Sequence, residues 1–463
     1  MPQAYRPDPA ILALGEAFFD PVEAANFPMA VLRFRNDRWA EAVGLGGLSD
    51  EDWVAHFGRF RPLPGNLTTP LALRYHGHQF RVYNPDIGDG RGFLFAQLRD
   101  ERGRLLDLGT KGSGQTPYSR FGDGRLTLKG GVREILATEM LEALGVETSK
   151  SFSLIETGEE LERGDEPSPT RSSVLVRLSH GHIRIGTFQR FAFFGEGEDM
   201  RRLVDYSLEQ LYGEPAGEDG PARLLDRVSA GTARLAASYI AAGFVHGVLN
   251  SDNIAITAES FDYGPWRFTP FWDGSFTAAY FDHAGLYCFG RQPEAIQWDL
   301  LQLAASLRLI AAVEALTPPL EAFPERFREA LRSAILARLG VELNGEEEDS
   351  VLIEAIQAAL ANRTVTIDRF FFDWRGGRRR EPNSPADRSY QDDAFREVER
   401  LLSAYRPAAD TEHTYWSSEE PCSMHIEEVE RLWTNIDGED DWTDFYAKIN
   451  DIRRMAEAMR PRA

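Results

Sequence analysis

The chain has 463 residues, 43% of them hydrophobic and 27% charged, and its 51 Lys and Arg against 73 Asp and Glu give a formal net charge of −22. That length supports a large core, arranged either as two lobes or as one α/β body with a helical annex. So acidic a surface repels a phosphate backbone, and no apolar run reaches the length of a membrane span, so neither nucleic acid nor a membrane is the expected partner. The acidic runs Glu346–Asp349 and Asp437–Asp444 read as solvated surface. Cys288 and Cys422 are too few for a disulfide framework or a CxxC zinc site, and the expected state is two reduced thiols. The first twenty residues lack a basic leader pattern, and the expected location is the cytoplasm.

In chain order, residues 1–75 mix short apolar patches with prolines, Pro62, Pro64 and Pro70 interrupting any long element. His76 and His78 stand two apart, the spacing of one strand face, but without a third ligand nearby a hydrogen-bonding role is expected. Gly88-Asp89-Gly90-Arg91-Gly92 is a tight turn, followed by a strand, FLFAQL, a turn at Arg102-Gly103, and a returning strand, RLLDLGTK, that ends on Lys111. Gly112-Ser113-Gly114 and Asp123-Gly124-Arg125 are further turns. Three glycine turns around a strand-borne lysine supply what phosphates require: close backbone approach, N–H donors and a cation.

The segment VREILATEMLEALG predicts a helix with Val132, Leu136, Met140 and Leu144 on one stripe and Gly145 at its end. Glu134 falls in the expected first turn, where charge compensation of the helix dipole competes with pairing to Lys111. A strand lysine paired with a helix glutamate is the kinase device for holding ATP phosphates, and that reading is preferred. Residues 157–170 read as an exposed loop. SVLVRL and HIRIGTF read as strands carrying Arg177 and Arg184, either surface residues with packed stems or a guanidinium clamp.

A long helix is expected from Pro221 to Gly243, delivering the chain to HGVLNSDNIAITAESFDYGPW at 246–266, which reads as a loop, a short strand and a turn. Kinases use His-Arg-Asp-x-x-x-x-Asn followed by Asp-Phe-Gly to hold Mg-ATP. Here His246, Gly247 and Asn253 keep the spacing, and Asp262-Tyr263-Gly264 follows. Val248 occupies the position of the base and cannot accept a proton, while an aspartate, Asp252, stands beside Asn253. Helices are then expected at about 293–316, 321–339 and 350–361, with an interrupted helical remainder.

The ordered motifs resemble the selenoprotein O/YdiU family across roughly residues 70–310: GHQF at 77–80, GDGR at 88–91, KGSGQTPYSR at 111–120, DGR at 123–125, RE at 133–134, Arg177, Arg184, HGVLNSDN and DYGPW. The resemblance implies an α+β, bilobal protein-kinase-like fold, with a β-rich N-terminal lobe and a helical C-terminal lobe bearing extra C-terminal helices. The expected division is 1–75 as an extension packing on the core, 76–205 as the N-lobe, 206–345 as the C-lobe, and 346–463 as a C-terminal helical region.

It further implies a protein adenylyltransferase, with uridylyl transfer as a variant. ATP would be bound flipped relative to ordinary kinases, and AMP passed to Ser, Thr or Tyr hydroxyls of proteins, this chain itself among the candidates. Gly88, Gly90, Arg91, Lys111, Asp123, Gly124, Arg177, Arg184 and Asp262 would contact ATP. Asn253 and Asp262 would hold Mg²⁺, or Mn²⁺ as the alternative ion. Asp252 would be the proton acceptor and Glu134 the support for Lys111.

Departures from the family pattern point to a divergent, shortened member. Gln115 replaces an Arg, Lys129-Gly130-Gly131 replaces Arg-Ser-Ser, and Arg81 follows GHQF in place of Gly. The cysteine or selenocysteine near the family's C-terminus is not recognisable, and Ala278 stands where some bacterial members carry Cys, so a redox switch is not carried over. Two other readings compete: a conventional phosphotransferase with Asp252 as a displaced base, and a catalytically inactive nucleotide-binding module.

Overall fold

A computed structural model describes residues 4–120, 123–164, 166–380 and 384–460. Its organising element is an eight-stranded antiparallel sheet built from β1 (Phe19–Pro21), β2 (Val31–Arg35), β3 (Leu71–Leu73), β6 (Leu94–Arg99), β7 (Leu105–Lys111), β8 (Leu126–Thr127), β9 (Lys150–Leu161) and β10 (Thr170–Ser179). The order is β1-β3-β6-β7-β10-β9-β2, with β8 pairing β10. Two two-stranded ribbons stand apart: β4 (Gly77–Gln79) with β5 (Val82–Asn84), and β11 (Phe244–Val245) with β12 (Arg267–Phe268).

Both faces of the sheet are covered, which explains why β7 is buried along its whole length. Side chains alternate between faces along a strand. Leu105, Leu154 and Leu175 join the core formed with α3 (Leu128–Ala143), while Leu106, Leu108, Val174 and Val176 pack with Trp53 and Phe57 of α2 (Asp50–Phe57). A preceding short helix, α1 (Asp37–Ala42), is capped by Asn36, whose side chain accepts from Trp39 N. The predicted hairpin is present, Lys111 ending β7 opposite Leu175 of β10.

After the sheet the chain is helical: α4 (Ile185–Phe194), α5 (Gly197–Tyr206), α6 (Gly220–Ala242), α7 (Gln292–Leu307), α8 (Val313–Glu321), α9 (Phe323–Leu339), α10 (Glu346–Ala361), α11 (Ile367–Asp373), α12 (Asp393–Leu402), α13 (Ile426–Glu439) and α14 (Thr443–Met459). The fold is therefore α+β, with the large sheet and three helices up to Ser179 and a mostly helical chain after it. The predicted long helix is α6, and Gly243 closes it at φ 68°, a left-handed conformation that glycine adopts without a Cβ penalty.

Several local expectations are corrected. HIRIGTF is not a strand: Arg184 is the N-cap of α4, and Ile185 and Phe188 face the core from that helix. No strand forms within 246–266, where two isolated bridges join Ala255 to Arg184 and Ser260 to Thr148. Strand β9 runs to Leu161, shortening the loop expected at 157–170, of which Asp165 lies outside the described residues. The helix expected at 293–316 ends at Leu307, and Pro318 and Pro319 fall inside α8. Apolar periodicity carried across a short break reads as one helix, so the interruption at 308–312 is invisible to it.

Candidate active site

The start of α3 matters most to the site. The helix begins at Leu128, capped by the Thr127 side chain, so Glu134 lies in its second turn and not its first. Dipole compensation belongs to the first turn, and that explanation of Glu134 falls away. Its side chain is 0% exposed and accepts from Lys111 Nζ at 2.6 Å. Lys111 also reaches Asp262 Oδ1 at 2.8 Å, and Arg177 Nη1 stands 3.4 Å from both Glu134 and Asp262. Two cations and two carboxylates thus form one cluster, buried except for Asp262, whose side chain is 26% exposed, with each charge compensated by its neighbours. Burial works to raise the Asp262 carboxyl, but Lys111, Arg177, Arg91 and Arg184 together hold it well below the usual range. Asp262 is held at φ 63°, uncommon for a residue with a Cβ.

The loop before Asp262 is fixed from below. His246 N donates to Gln292 Oε1 at 3.0 Å, and its ring Nε2 is 2.9 Å from Phe261 O. Burial lowers the imidazole pKa, so the ring is neutral and donates through Nε2. Asn253 Nδ2 donates to Val248 O at 3.0 Å, which leaves its Oδ1 for another partner.

Asp252 differs from its neighbours. Its backbone carbonyl accepts from Arg184 Nη1 at 2.9 Å, while its Oδ1 is buried without a hydrogen-bond partner. Burial pushes its carboxyl up to about 6, with Arg184 opposing. A buried carboxylate oxygen without a partner is costly, and such groups concentrate where chemistry needs them.

These groups face one cavity of about 630 Å³, lined by Lys111, Arg177, Arg184, Asp252, Asn253 and Asp262 together with Gly88, Gly90, Arg91, Asp123 and Gly124. The Gly88–Gly92 turn is stitched to the segment after Gly114, Thr116 Oγ1 donating to Asp89 O and Ser119 Oγ to Gly90 O. A Cβ on Gly88 would meet the Tyr118 ring at 2.5 Å, so only glycine lets that ring close under the turn. Every residue expected to contact ATP, hold the ion or accept the proton lines this cavity, and Glu134 lies behind it holding Lys111.

Four residues that sequence reasoning did not single out belong here. Asp89 accepts from Leu73 N at 3.0 Å and pairs with Arg184 at 3.5 Å. Arg163 binds Asp123 through both terminal nitrogens at 3.1 Å. Arg120 lines the cavity, and its charge lowers the Asp252 carboxyl. Gly77 abuts the Asp252 side chain. Asp89, Arg120 and Gly77 lie inside the quoted motifs and were legible there. Arg163 carries no signal, because its pairing depends on how the β9–β10 loop folds back.

A strand lysine bonded to a helix glutamate, above a loop that presents Asn253 and Asp262 to the same cavity, defines a protein-kinase-like fold with a β-rich lobe set on a helical one. The chain belongs to the SelO family: the model described as "Protein adenylyltransferase SelO" matches residues 3–453. Relatives called "Protein nucleotidyltransferase YdiU" include one from Synechococcus elongatus, 49% identical over 79% of this chain and 74% of that protein. Another, from Gloeobacter violaceus, is 42% identical over 96% of this chain and 95% of its own length, and one from Vibrio cholerae is 34% identical over 77% and 72%. The enzyme class is nucleotidyltransferase. A solved structure described as the protein-kinase-fold virulence factor ROP2 from Toxoplasma gondii is similar at 11% identity and a TM-score of 0.26, covering 63% of this chain and 83% of that one.

Proposed function

We propose that this protein transfers AMP from ATP to Ser, Thr or Tyr hydroxyls of proteins and releases pyrophosphate, with Asp252 as the base. The observation that carries this reading is the buried Asp252 carboxyl, whose Oδ1 has no hydrogen-bond partner, facing the cavity that Lys111, Arg177 and Asp262 also line. Asp252 accepts the hydroxyl proton, and the freed oxygen attacks the α-phosphorus. A bond from that oxygen to phosphorus forms as the bridge to the β-phosphorus breaks, and pyrophosphate leaves with the bonding pair.

Lys111, Arg177 and Arg184 stabilise negative charge on the phosphates, and the turns at Gly88–Gly92 and Asp123–Gly124 admit them close to the backbone. The donor set suits a hard divalent ion, since Asn253 offers a carbonyl oxygen and Asp262 stays ionised throughout the physiological range. Asn253 and Asp262 would hold Mg²⁺, which neutralises phosphate charge when bound. A pKa near 6 suits Asp252 to its task, because the carboxylate is ionised at neutral pH yet basic enough to take a proton.

The test is intact-mass and peptide mass spectrometry after incubation with ATP and Mg²⁺. An adduct of AMP less water on a hydroxyl residue, with pyrophosphate released, supports the assignment. A phosphate adduct with ADP release would overturn it in favour of phosphotransfer by the same carboxylate.

A further inference from the structure

Asp262 is gripped on both sides by hydroxyl groups that the reaction itself does not use. Tyr263 follows it, and the Tyr263 hydroxyl lies 2.5 Å from Thr148 Oγ1 and 2.6 Å from Ser260 Oγ. The Tyr239 hydroxyl of α6 lies 2.5 Å from the same Ser260 oxygen. All four residues are buried, none more than 3% exposed. A phenyl ring at 263 would fill the same space, so what the hydroxyls add to packing is fixed distance and direction.

Thr148 belongs to the connector between α3 and β9, and the backbones of the two segments meet at the same point. Ser149 N donates to Ser260 O at 2.8 Å and Ser260 N to Glu147 O at 2.9 Å. From α3 itself, Arg133 Nη2 donates to Trp266 O at 3.2 Å. Helix α3 and its connector therefore hold the 260–266 segment both before and after Asp262. The same helix carries Glu134, and Lys111 bonds Glu134 and Asp262 at once. A closed circuit results, running from α3 through Glu134, Lys111, Asp262, Tyr263 and Thr148 back to α3. The positive φ of Asp262 persists only where its surroundings over-determine it, and this circuit does so.

We infer that the Thr148–Tyr263–Ser260 hydroxyl network is a positioning device for Asp262, fixing its carboxylate where it meets both Lys111 and the divalent ion. None of the three residues lines the nucleotide cavity, so they act through Asp262 and do not touch ATP. The inference rests on the reading of Asp262 as a ligand of the ion.

The test uses the full chain and an ATP analogue that cannot be cleaved between its α- and β-phosphates, with affinity measured by calorimetry in Mg²⁺ and in chelator. The ratio of the two affinities reads how well Asp262 is placed for the ion. Tyr263→Phe and Thr148→Val are each expected to cut that ratio about tenfold, the upper end for one buried hydrogen bond. Thr148→Ser, which keeps a hydroxyl, is expected to retain it. The double variant is expected to lose no more than either single one, because both remove the same bond. A ratio unchanged in both single variants, even with a lower Tm, would overturn the proposal and leave the hydroxyls a role in stability alone. So would losses that add in the double variant, or equal losses in Thr148→Ser and Thr148→Val. A wild-type ratio of one would fail the ion reading and this inference with it. Because the readout is binding, a phosphate adduct in place of AMP would fail the transfer reading alone.

Discussion

A Cβ built on Gly77 falls 2.8 Å from the Asp252 Cβ and 2.9 Å from its Oδ1, so the β4–β5 hairpin and the carboxylate are in direct contact. No adjustment of a flexible side-chain end relieves that clash, because the nearest atom is the Cβ of Asp252 itself. Gly77→Ala is expected to displace the carboxylate and lower transfer by about 10²-fold, the cost of a misplaced catalytic group, with little change in ATP affinity. Steady-state kinetics beside analogue binding check this; full activity would show that the contact does not position Asp252.

The Asp252 carboxyl, pushed up to about 6 by burial, sets the acid side of the pH profile. A base must be deprotonated, so transfer is expected to fall as pH drops through about 6. Arg184 opposes this rise, and its removal in Arg184→Met should move the acid limb to higher pH while also weakening ATP binding. A pH profile of kcat in wild type and variant reads the shift.

Glu134 has no exposed surface and serves two cations, Lys111 and Arg177. Glu134→Gln leaves them facing Asp262 alone. Breaking one side of a buried ion pair costs ~3–5 kcal/mol. Chemical denaturation should report a loss in that range, accompanied by a higher KM for ATP.

Asp299 on α7 is buried, and neither carboxyl oxygen has a hydrogen-bond partner among the described residues. Burial, reinforced by the charge of Asp252, raises its carboxyl well above the usual range, so it is protonated in the folded chain. In the unfolded chain it ionises near about 4. The stability tied to this proton is therefore complete below that value and is lost progressively as pH rises toward the folded pKa. Asp299→Asn carries no such titration, so its Tm should gain on wild type as pH climbs from about 4 toward neutrality. A constant difference in Tm would show that Asp299 does not titrate in this way.

Arg453 on α14 binds Glu139 of α3 through two bonds, 2.8 and 2.9 Å, and the Glu139 side chain is 3% exposed. The C-terminal helices thus grip the helix that carries Glu134. Arg453→Ala is expected to cost about 1–3 kcal/mol, the penalty of a buried acceptor losing its donor. It should also raise the KM for ATP, and an unchanged KM would confine the role of α14 to stability.

Motif spacing and the family resemblance singled out Lys111, Glu134, Asp252, Asn253 and Asp262, and the fold gathers them at or directly behind one cavity; a phosphate site restricts residue type at each position, and such restrictions survive in linear order. The sequence pattern also located the hairpin ending on Lys111 and the long helix α6, whose period-3.6 apolar face is a local property. It misread HIRIGTF, where a run of branched and aromatic residues fits a strand or a buried helix equally well. Contact with the core of α4 settled the matter in favour of helix.

Tertiary structure alone decided which groups are charged and which are free. Whether Glu134 compensates a helix dipole or holds Lys111 depends on where α3 begins, and whether Asp252 is solvated or buried with Oδ1 unpartnered depends on a hairpin about 170 residues earlier in the chain folding over it. The physical reason is desolvation: a carboxylate's pKa and partners are set by the atoms packed around it, and those atoms come from segments that no local pattern connects.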